Sequence, residues 1–358
     1  MHEGVRVLGF GSVPLVLYPD RRFSPPFLAR RSIRRFFREN RPHVIHLQDH
    51  FFLAKAVLAA AMEAGIPIMG TNHFLPENVV HHLHLSAKAE FQVERFLWAR
   101  FVKIYKHMYF VTAPTATAAR LSKQPGLAND VIAISSGVDL CRFHPGADAS
   151  EIRKKYAIPN RQILLCVGRL DEEKRVEVAI RAMPDIMKRV DAHLVVAGKG
   201  KLRARLEALA CELGMKDRVS FLGFLPDDDL PKLYCLADAF VMPGVAELQS
   251  SATMEAMASG LPVIAADAIA LPELVHNGEN GFLFPQDDAR ELALAAARIL
   301  SDEELRSRMA KESLEMIQIH DLKKVVQRYE ALYEQMIDMG SGPWRLRAST
   351  SESALSAT

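Results

Sequence analysis

From residue 161 onward, the apolar positions fall in short β-branched runs separated by stretches of helical spacing, the alternation of βα units around a parallel sheet. QILLCVG (162–168), AHLVVAG (192–198), RVSFLG (218–223), DAFVMPG (238–244), LPVIAAD (261–267) and NGFLFP (280–285) read as strands. Helices are predicted between them, at 176–189 and 289–301, and Gly or Pro closes nearly every strand. Ahead of these a looser version of the same rhythm runs through PHVIHLQ (42–48), IPIMGTNH (66–73), MYFVTAP (108–114) and VIAISSG (131–137), a second α/β unit. Residues 137–148 lack both periodicities and lead into a helical start near Ser150, so the domain boundary is placed there.

The expected organisation is therefore a first domain over 1–145 and a second over 146–320. A helix follows over 321–342, with Val325, Val326, Tyr329, Leu332, Tyr333 and Met336 on one face. The last residues, 343–358, are polar and small and read as a disordered tail. A length of 358 residues suits two domains of ordinary size.

Composition adds exclusions. With 49% hydrophobic and 25% charged residues the chain reads as globular. Cys141, Cys166, Cys211 and Cys235 are too far apart for a zinc or redox motif and read as buried thiols of a reducing cytosol. No segment resembles a signal peptide, and no apolar run reaches the ~18 residues of a membrane span, so a cytoplasmic protein is expected.

Charge is uneven. Residues 1–145 carry 18 Lys+Arg against 10 Asp+Glu, leaving 27 against 33 for the rest. Much of the first half's excess is one segment, Arg21 to Arg41, with eight arginines and one acid, Glu39, interleaved with Phe27, Leu28, Ile33, Phe36 and Phe37. Such a basic amphipathic helix either lies on an anionic membrane surface or tucks its apolar stripe into the core with the arginines in water. Nucleic acid is not expected, since no recognition motif accompanies the charge.

In open parallel sheets ligands sit beyond the carboxyl ends of the strands, so the residues just after each strand carry the chemistry. Gly168-Arg169-Leu-Asp-Glu-Glu-Lys174 places two cations five residues apart at a strand-to-helix turn. A diphosphate suits that pair, Arg offering a planar fork and Lys a point charge. Farther on, Glu247 and Glu255 stand eight residues apart. With 248–258 helical their separation is roughly 12 Å, the reach from a ribose across a diphosphate to a hexose. The amides of Leu248, Gln249 and Ser250 would then open the helix and face the phosphate. Taken singly, Glu247 reads as a helix N-terminal acid and Glu255 as a helix-surface charge.

Gly-Arg-x4-Lys and Glu-x7-Glu, in this order and each after a strand, resemble the retaining glycosyltransferases of family 4. ISSGVDLCRFHPG, VVAGKGKL, FLGFLPDDDL, SGLPVIA and ELVHNGENGFLF extend the resemblance over roughly residues 40–340. It implies the GT-B fold, an α/β architecture of two facing Rossmann-like domains with parallel sheets, here with the first domain incomplete at its N-terminus. It implies that Arg169 and Lys174, with Gly168, Leu248, Gln249 and Ser250, hold the donor diphosphate. Glu247 then meets the donor sugar, Glu255 the ribose, and Gly223–Leu225 border the base.

His73, in the TNH segment, matches a family histidine beside the donor sugar, while His46, Gln48, Asp49 and His50 would face the same cleft, Gln48 and Asp49 on the acceptor side. The resemblance implies metal-independent transfer without a cofactor, the sugar nucleotide being a co-substrate. His81, His82 and His84 are accordingly expected to hold no metal. It also implies that the helix near 322–339 returns to the first domain.

Two departures stand out. The family's opening strand, Gly-rich loop and helix are missing ahead of MHEGVRVLGFGSVPL, where Gly9-Phe-Gly11 follows a short strand, and a start farther upstream is expected. Ser250 occupies a position where many members carry Gly, which disfavours positive φ there. The expected function is hexose transfer from a nucleoside-diphosphate sugar to a sugar or lipid acceptor, with Arg21–Arg41 tilting the reading toward an acceptor presented at an anionic membrane surface. The alternatives are a sugar-nucleotide-binding module without turnover and a GT-B nucleotide-sugar epimerase.

Overall fold

The computed structural model describes residues 5–15, 18–76, 86–123 and 126–339, with the backbone alone at 14–15, 18–23, 26–28 and 52. Contacts divide the chain into two compact units. The first comprises Met1–Pro76, Leu85–Ile134 and the chain from Arg328, and the second contains Ser135–Gln327. The division thus falls upstream of the irregular stretch at 137–148. That stretch is tied into the second unit, where the Val138 amide donates to the His320 carbonyl (2.9 Å) and Leu322 donates back to Val138 (3.0 Å).

In the second unit β7 (Gln162–Val167), β8 (Ala192–Ala197), β9 (Val219–Gly223), β10 (Ala239–Met242), β11 (Val263–Ala266) and β12 (Gly281–Phe284) form one parallel sheet. Their order is β12-β11-β10-β7-β8-β9. Every residue of β8, β10 and β11 is buried, as in a sheet covered on both faces. Helix Val176–Met187 buries Val176, Ala179, Ile180, Met183 and Ile186, one stripe at helical spacing, and packs against helix Ala289–Ser301. Since β8 and β9 extend the sheet on one side of β7 while β10 to β12 extend it on the other, the winding reverses between β7 and β10. A crevice opens beyond the carboxyl ends of that strand pair.

The first unit has a four-stranded parallel sheet in chain order, β3 (Ile45–Leu47), β4 (Ile68–Thr71), β5 (Val111–Ala113) and β6 (Val131–Ala133). Helices Pro26–Asn40 and Phe52–Ala64 pack together, the first contributing Ala29, Ile33 and Phe37 at a four-residue spacing and the second Ala56 and Ala60. Burying a large apolar side chain such as Ile33 contributes roughly 1.5–3 kcal/mol. Helix Leu322–Met339 has Val325, Leu332 and Met336 buried. From Arg328 it belongs to this unit.

Several expectations are corrected. The strands stop short of their apolar runs because the flanking Gly, Pro and Asp turn the chain out of the ladder. Arg21 and Arg22 lie in a strand, β2 (Tyr18–Phe23), that pairs antiparallel with β1 (Val13–Leu15), so the basic helix begins only at Pro26; the segment of Gly9 and Gly11 follows no described strand. Of the helix's apolar stripe, Ile33 (2% exposed) and Phe37 are tucked into the core and Phe36 is half-buried against it, while the side chains of Phe27 and Leu28 lie outside the described residues. Val326 lies off the apolar face at 45% exposure. Cys166 is buried, but Cys141 and Cys211 are exposed. The histidines at 81, 82 and 84 and the tail from 343 lie outside the described residues. Among the described residues no helix is long and apolar enough to cross a membrane.

Candidate functional site

The crevice of the second unit is assembled from the loops that follow β7, β8 and β10. After β7 the chain runs beside the loop after β8, with the Gly168 amide donating to the Ala197 carbonyl (3.0 Å) and Leu170 to Lys199 (2.9 Å). That approach requires glycine. A Cβ on Gly198, whose φ is +143°, would stand 1.8 Å from the Gly168 carbonyl oxygen, and one on Gly200 2.4 Å from that of Leu170. The GKG segment, 198–200, thus brings the two loops together, a task its sequence alone does not name. The signal was present, two glycines just after a strand.

Beyond Leu170 a short 3-10 turn, Glu172–Lys174, delivers Lys174. Its ammonium pairs with the Glu247 carboxylate across the crevice, side chains 19% and 10% exposed. The Val245 amide donates to the Glu173 carbonyl (3.0 Å), tying the loop after β10 to that turn. Gly244 leaves room for the pair, since a Cβ there would lie 3.0 Å from Glu247 Oε1, and Gly168 is close enough that its Cβ would touch the Lys174 stem at 3.9 Å. Arg169 is held by Asp171 and by Glu173 Oε1 (2.5 Å), with half its side chain in solvent. The loop after β7 therefore carries both cations, Lys174 paired with Glu247 and Arg169 held by two further acids, Asp171 and Glu173, that spacing alone did not single out.

Glu255 is placed differently. It sits on helix Ser251–Ala258 and accepts a hydrogen bond from the buried Tyr234 hydroxyl (2.9 Å). Burial raises the Glu255 carboxyl above its ordinary range, opposed by the Tyr234 hydrogen bond and by Arg142. Burial also pushes the Tyr234 hydroxyl well up, with Glu255 adding to the shift, so this phenol stays a donor. Tyr234 was not read as a site residue from the sequence. Only the contact reveals it.

The loop between the glutamates also corrects the expectation that residues 248–250 open the helix. It begins at Ser251. Ser250 is its N-cap at φ −92°, with Oγ accepting from the Thr253 amide (3.2 Å), so no positive φ is demanded where Ser replaces Gly. Leu248 is buried at 7%. Gln249 turns away to accept from the Ser136 amide (2.7 Å) and donate to Ser135 Oγ (3.0 Å). The rise that gave roughly 12 Å applies to the helical stretch only. Gly223, at φ +73°, ends β9 and its carbonyl accepts from Gly198 (2.7 Å). Phe224 beside it is 68% exposed, with Lys199 Nζ 5.5 Å from its ring centre.

In the first unit His73 follows β4 and its Nε2 lies 2.9 Å from Gln48 Oε1; partial desolvation lowers its pKa. Asp49 Oδ1 accepts from the Phe51 amide (2.8 Å), a turn contact that leads into helix Phe52–Ala64. His46 and His50 do not face open space as expected. His46 lies within β3, bonded to Tyr333 and Thr71, and His50 is 1% exposed among Phe51, Phe74 and Phe101. Burial pulls both down to about 4, so both are neutral at pH 7. Among the described residues no three His, Cys, Asp or Glu side chains gather as metal ligands would.

Residues 148–316 match the family described as Glycosyl transferases group 1, and residues 1–142 match Glycosyltransferase Family 4. A GDP-mannose-dependent alpha-mannosyltransferase of Corynebacterium glutamicum is 30% identical over 83% of this chain and 68% of its own. A GDP-mannose-dependent alpha-(1-6)-phosphatidylinositol monomannoside mannosyltransferase of Mycobacterium tuberculosis is 34% identical over 52% of this chain and 51% of its own. The matched stretches of the first curated relatives span 37% to 51% of those proteins. Among solved structures, sucrose-phosphate synthase of Thermosynechococcus elongatus superposes with a TM-score of 0.76 at 26% identity, covering 87% of this chain and 78% of that one. With its two parallel-sheet α/β units and these matches, the chain belongs to the family 4 glycosyltransferases and has their GT-B fold.

Proposed function

We propose that the protein is a retaining, metal-independent hexosyltransferase that takes its sugar from a nucleoside-diphosphate donor. The carrying observation is the pairing of Lys174 with Glu247 beside Arg169, on the two loops where the sheet reverses its winding. Arg169 and Lys174 take the diphosphate oxygens, and Gly168 lets the donor approach the backbone. Glu247 accepts hydroxyl hydrogens of the donor sugar, Glu255 those of the ribose, and Gly223–Leu225 border the base. As the anomeric C–O bond breaks, its electron pair leaves with the phosphate, whose charge Arg169, Lys174 and the first turn of helix Ser251–Ala258 offset. The acceptor oxygen bonds to the anomeric carbon on the face the phosphate leaves, and the departing phosphate takes its proton. His73 contacts the donor sugar, and Asp49 flanks the acceptor.

The name of the Corynebacterium relative makes GDP-mannose the first donor to try, with UDP-glucose beside it. The expected products are free nucleoside diphosphate and a glycoside with the donor's anomeric configuration, followed by proton NMR. Inversion at the anomeric carbon rules the mechanism out. An altered nucleotide sugar formed without acceptor identifies an epimerase instead.

The acceptor is a lipid or is presented at the cytoplasmic face of a membrane. The phosphatidylinositol monomannoside in the Mycobacterium relative's name supports this. So does a groove of about 760 Å3 lined by Arg31, Arg34, Arg38 and Arg41 beside Glu63. Because Ile33 and Phe37 of helix Pro26–Asn40 are buried, attraction rests on charge, worth roughly 1 kcal/mol per basic residue near an anionic surface. Co-sedimentation with phosphatidylglycerol vesicles that disappears at high salt is expected. No binding at low salt ends the membrane reading.

A further inference from the structure

The reaction proposed above uses His73, yet leaves unexplained a run of polar contacts that ends on it. His46 sits at its origin. Its Nδ1 lies 2.8 Å from the Tyr333 hydroxyl and its Nε2 2.7 Å from Thr71 Oγ1, which is itself 2.6 Å from Thr112 Oγ1. Both ring nitrogens are thus occupied, and Tyr329 lies tilted against the ring at 40°, 5.3 Å between centres. Burial keeps the imidazole neutral, so its face is electron-rich.

Gln48 Nε2 lies 3.4 and 3.3 Å from the two ring nitrogens of His46. Near-equal distances place the amide NH2 against the ring as a whole, an N–H···π contact as well as a weak hydrogen bond. The reverse orientation would set the electron-rich amide oxygen against that face. The contact therefore decides which end of Gln48 points outward. The outward end is Oε1, 2.9 Å from His73 Nε2. An amide oxygen only accepts, so His73 Nε2 must carry the hydrogen.

We infer that Gln48 and His46 are positioning residues that hold His73 as its Nε2–H tautomer, leaving Nδ1 as a hydrogen-bond acceptor toward a sugar hydroxyl. Gln48 then acts through His73 and not on the acceptor. His46 acts through Gln48, and Tyr333, on helix Leu322–Met339, holds His46. The role of His73 toward the donor rests on the proposed transfer. The tautomer does not.

Two readouts keep those claims apart. Long-range 15N spectra of the histidine rings, with His73 assigned by its loss in His73→Gln, are expected to show a single Nε2–H tautomer that becomes a mixture in Gln48→Leu. Identical patterns in the two proteins overturn the inference whether or not the enzyme turns over. The second readout is a double-mutant cycle on kcat for donor consumption. Gln48→Leu alone is expected to lower kcat about tenfold, the worth of one hydrogen bond, and to leave the acceptor KM unchanged. In a His73→Ala background it is expected to add nothing, while Gln48→Glu, which keeps the acceptor oxygen, retains most of the rate. Additive losses, or a rise in acceptor KM alone, overturn the positioning role. A wild-type protein with no turnover but a locked tautomer contradicts the transferase reading and leaves the positioning intact.

Discussion

At the scale of single residues, the candidate site is a set of charges already matched to one another. Lys174 faces Glu247, and Arg169 faces Asp171 and Glu173. A diphosphate on Lys174 competes with Glu247, so removing that carboxylate's charge should release the ammonium for phosphate. Glu247→Gln is expected to bind free nucleoside diphosphate about threefold to tenfold tighter by calorimetry, roughly 1 kcal/mol, while losing transfer. Weaker binding would show that Glu247 organises Lys174 instead of competing for it. Acid sensitivity is also set residue by residue. His46, His50 and His193 are pulled from 6.5 to about 4, chiefly by burial and secondarily by His73, Arg100, and the Arg161–Arg218 pair respectively. Between those values the unfolded chain binds protons that the folded one refuses. Stability is therefore full above about pH 6.5 and is lost as pH falls toward about 4. His50, buried among aromatic rings with neither ring nitrogen hydrogen-bonded, is the cleanest to test. In His50→Leu the proton uptake on unfolding across this window is expected to drop by about one, read from denaturation midpoints against pH. An unchanged slope would assign the loss to other groups.

At the scale of elements, glycines set the approach of neighbouring loops. Gly198→Ala forces a Cβ onto the Gly168 carbonyl, and Gly281→Ala forces one onto that of Val263 at the far edge of the same sheet. Both are expected to destabilise by about 3 kcal/mol. Only Gly198→Ala should also weaken sugar-nucleotide binding in the remaining folded protein; equal effects on binding would detach the β8 loop from the site. The βα alternation was legible because apolar runs punctuated by Gly and Pro carry both the strand positions and their ends. Helix Leu322–Met339 was legible from its 3.6-residue stripe, apart from Val326. The start of helix Ser251–Ala258 was not. In Glu-Leu-Gln-Ser-Ser-Ala-Thr either serine could cap, and the choice of Ser250 depends on its bond to Thr253 and on Gln249 being drawn aside by Ser135 and Ser136. Periodicity is equally silent on where an apolar stripe goes. Only the alanine-rich face of helix Phe52–Ala64 shows that Ile33 and Phe37 meet protein.

At the scale of the whole molecule, sequence order alone placed the decisive loops. Lys174 after β7 and Glu247 after β10 are far apart in the chain, and they become neighbours because those two strands pair at the point where the sheet reverses. Lys174 and Glu247 were legible as candidates from that order. Asp171, Glu173 and Tyr234 were not, since a carboxylate that orders a cation and a phenol that serves a carboxylate have no spacing of their own. The most direct test of this arrangement is calorimetric titration of GDP-mannose and UDP-glucose into the wild-type protein, Arg169→Ala and Lys174→Ala. One donor is expected to bind the wild type with micromolar Kd, and each variant to lose at least about tenfold, the worth of one charge-assisted hydrogen bond. Binding of the same strength in all three proteins would contradict a diphosphate site on these loops.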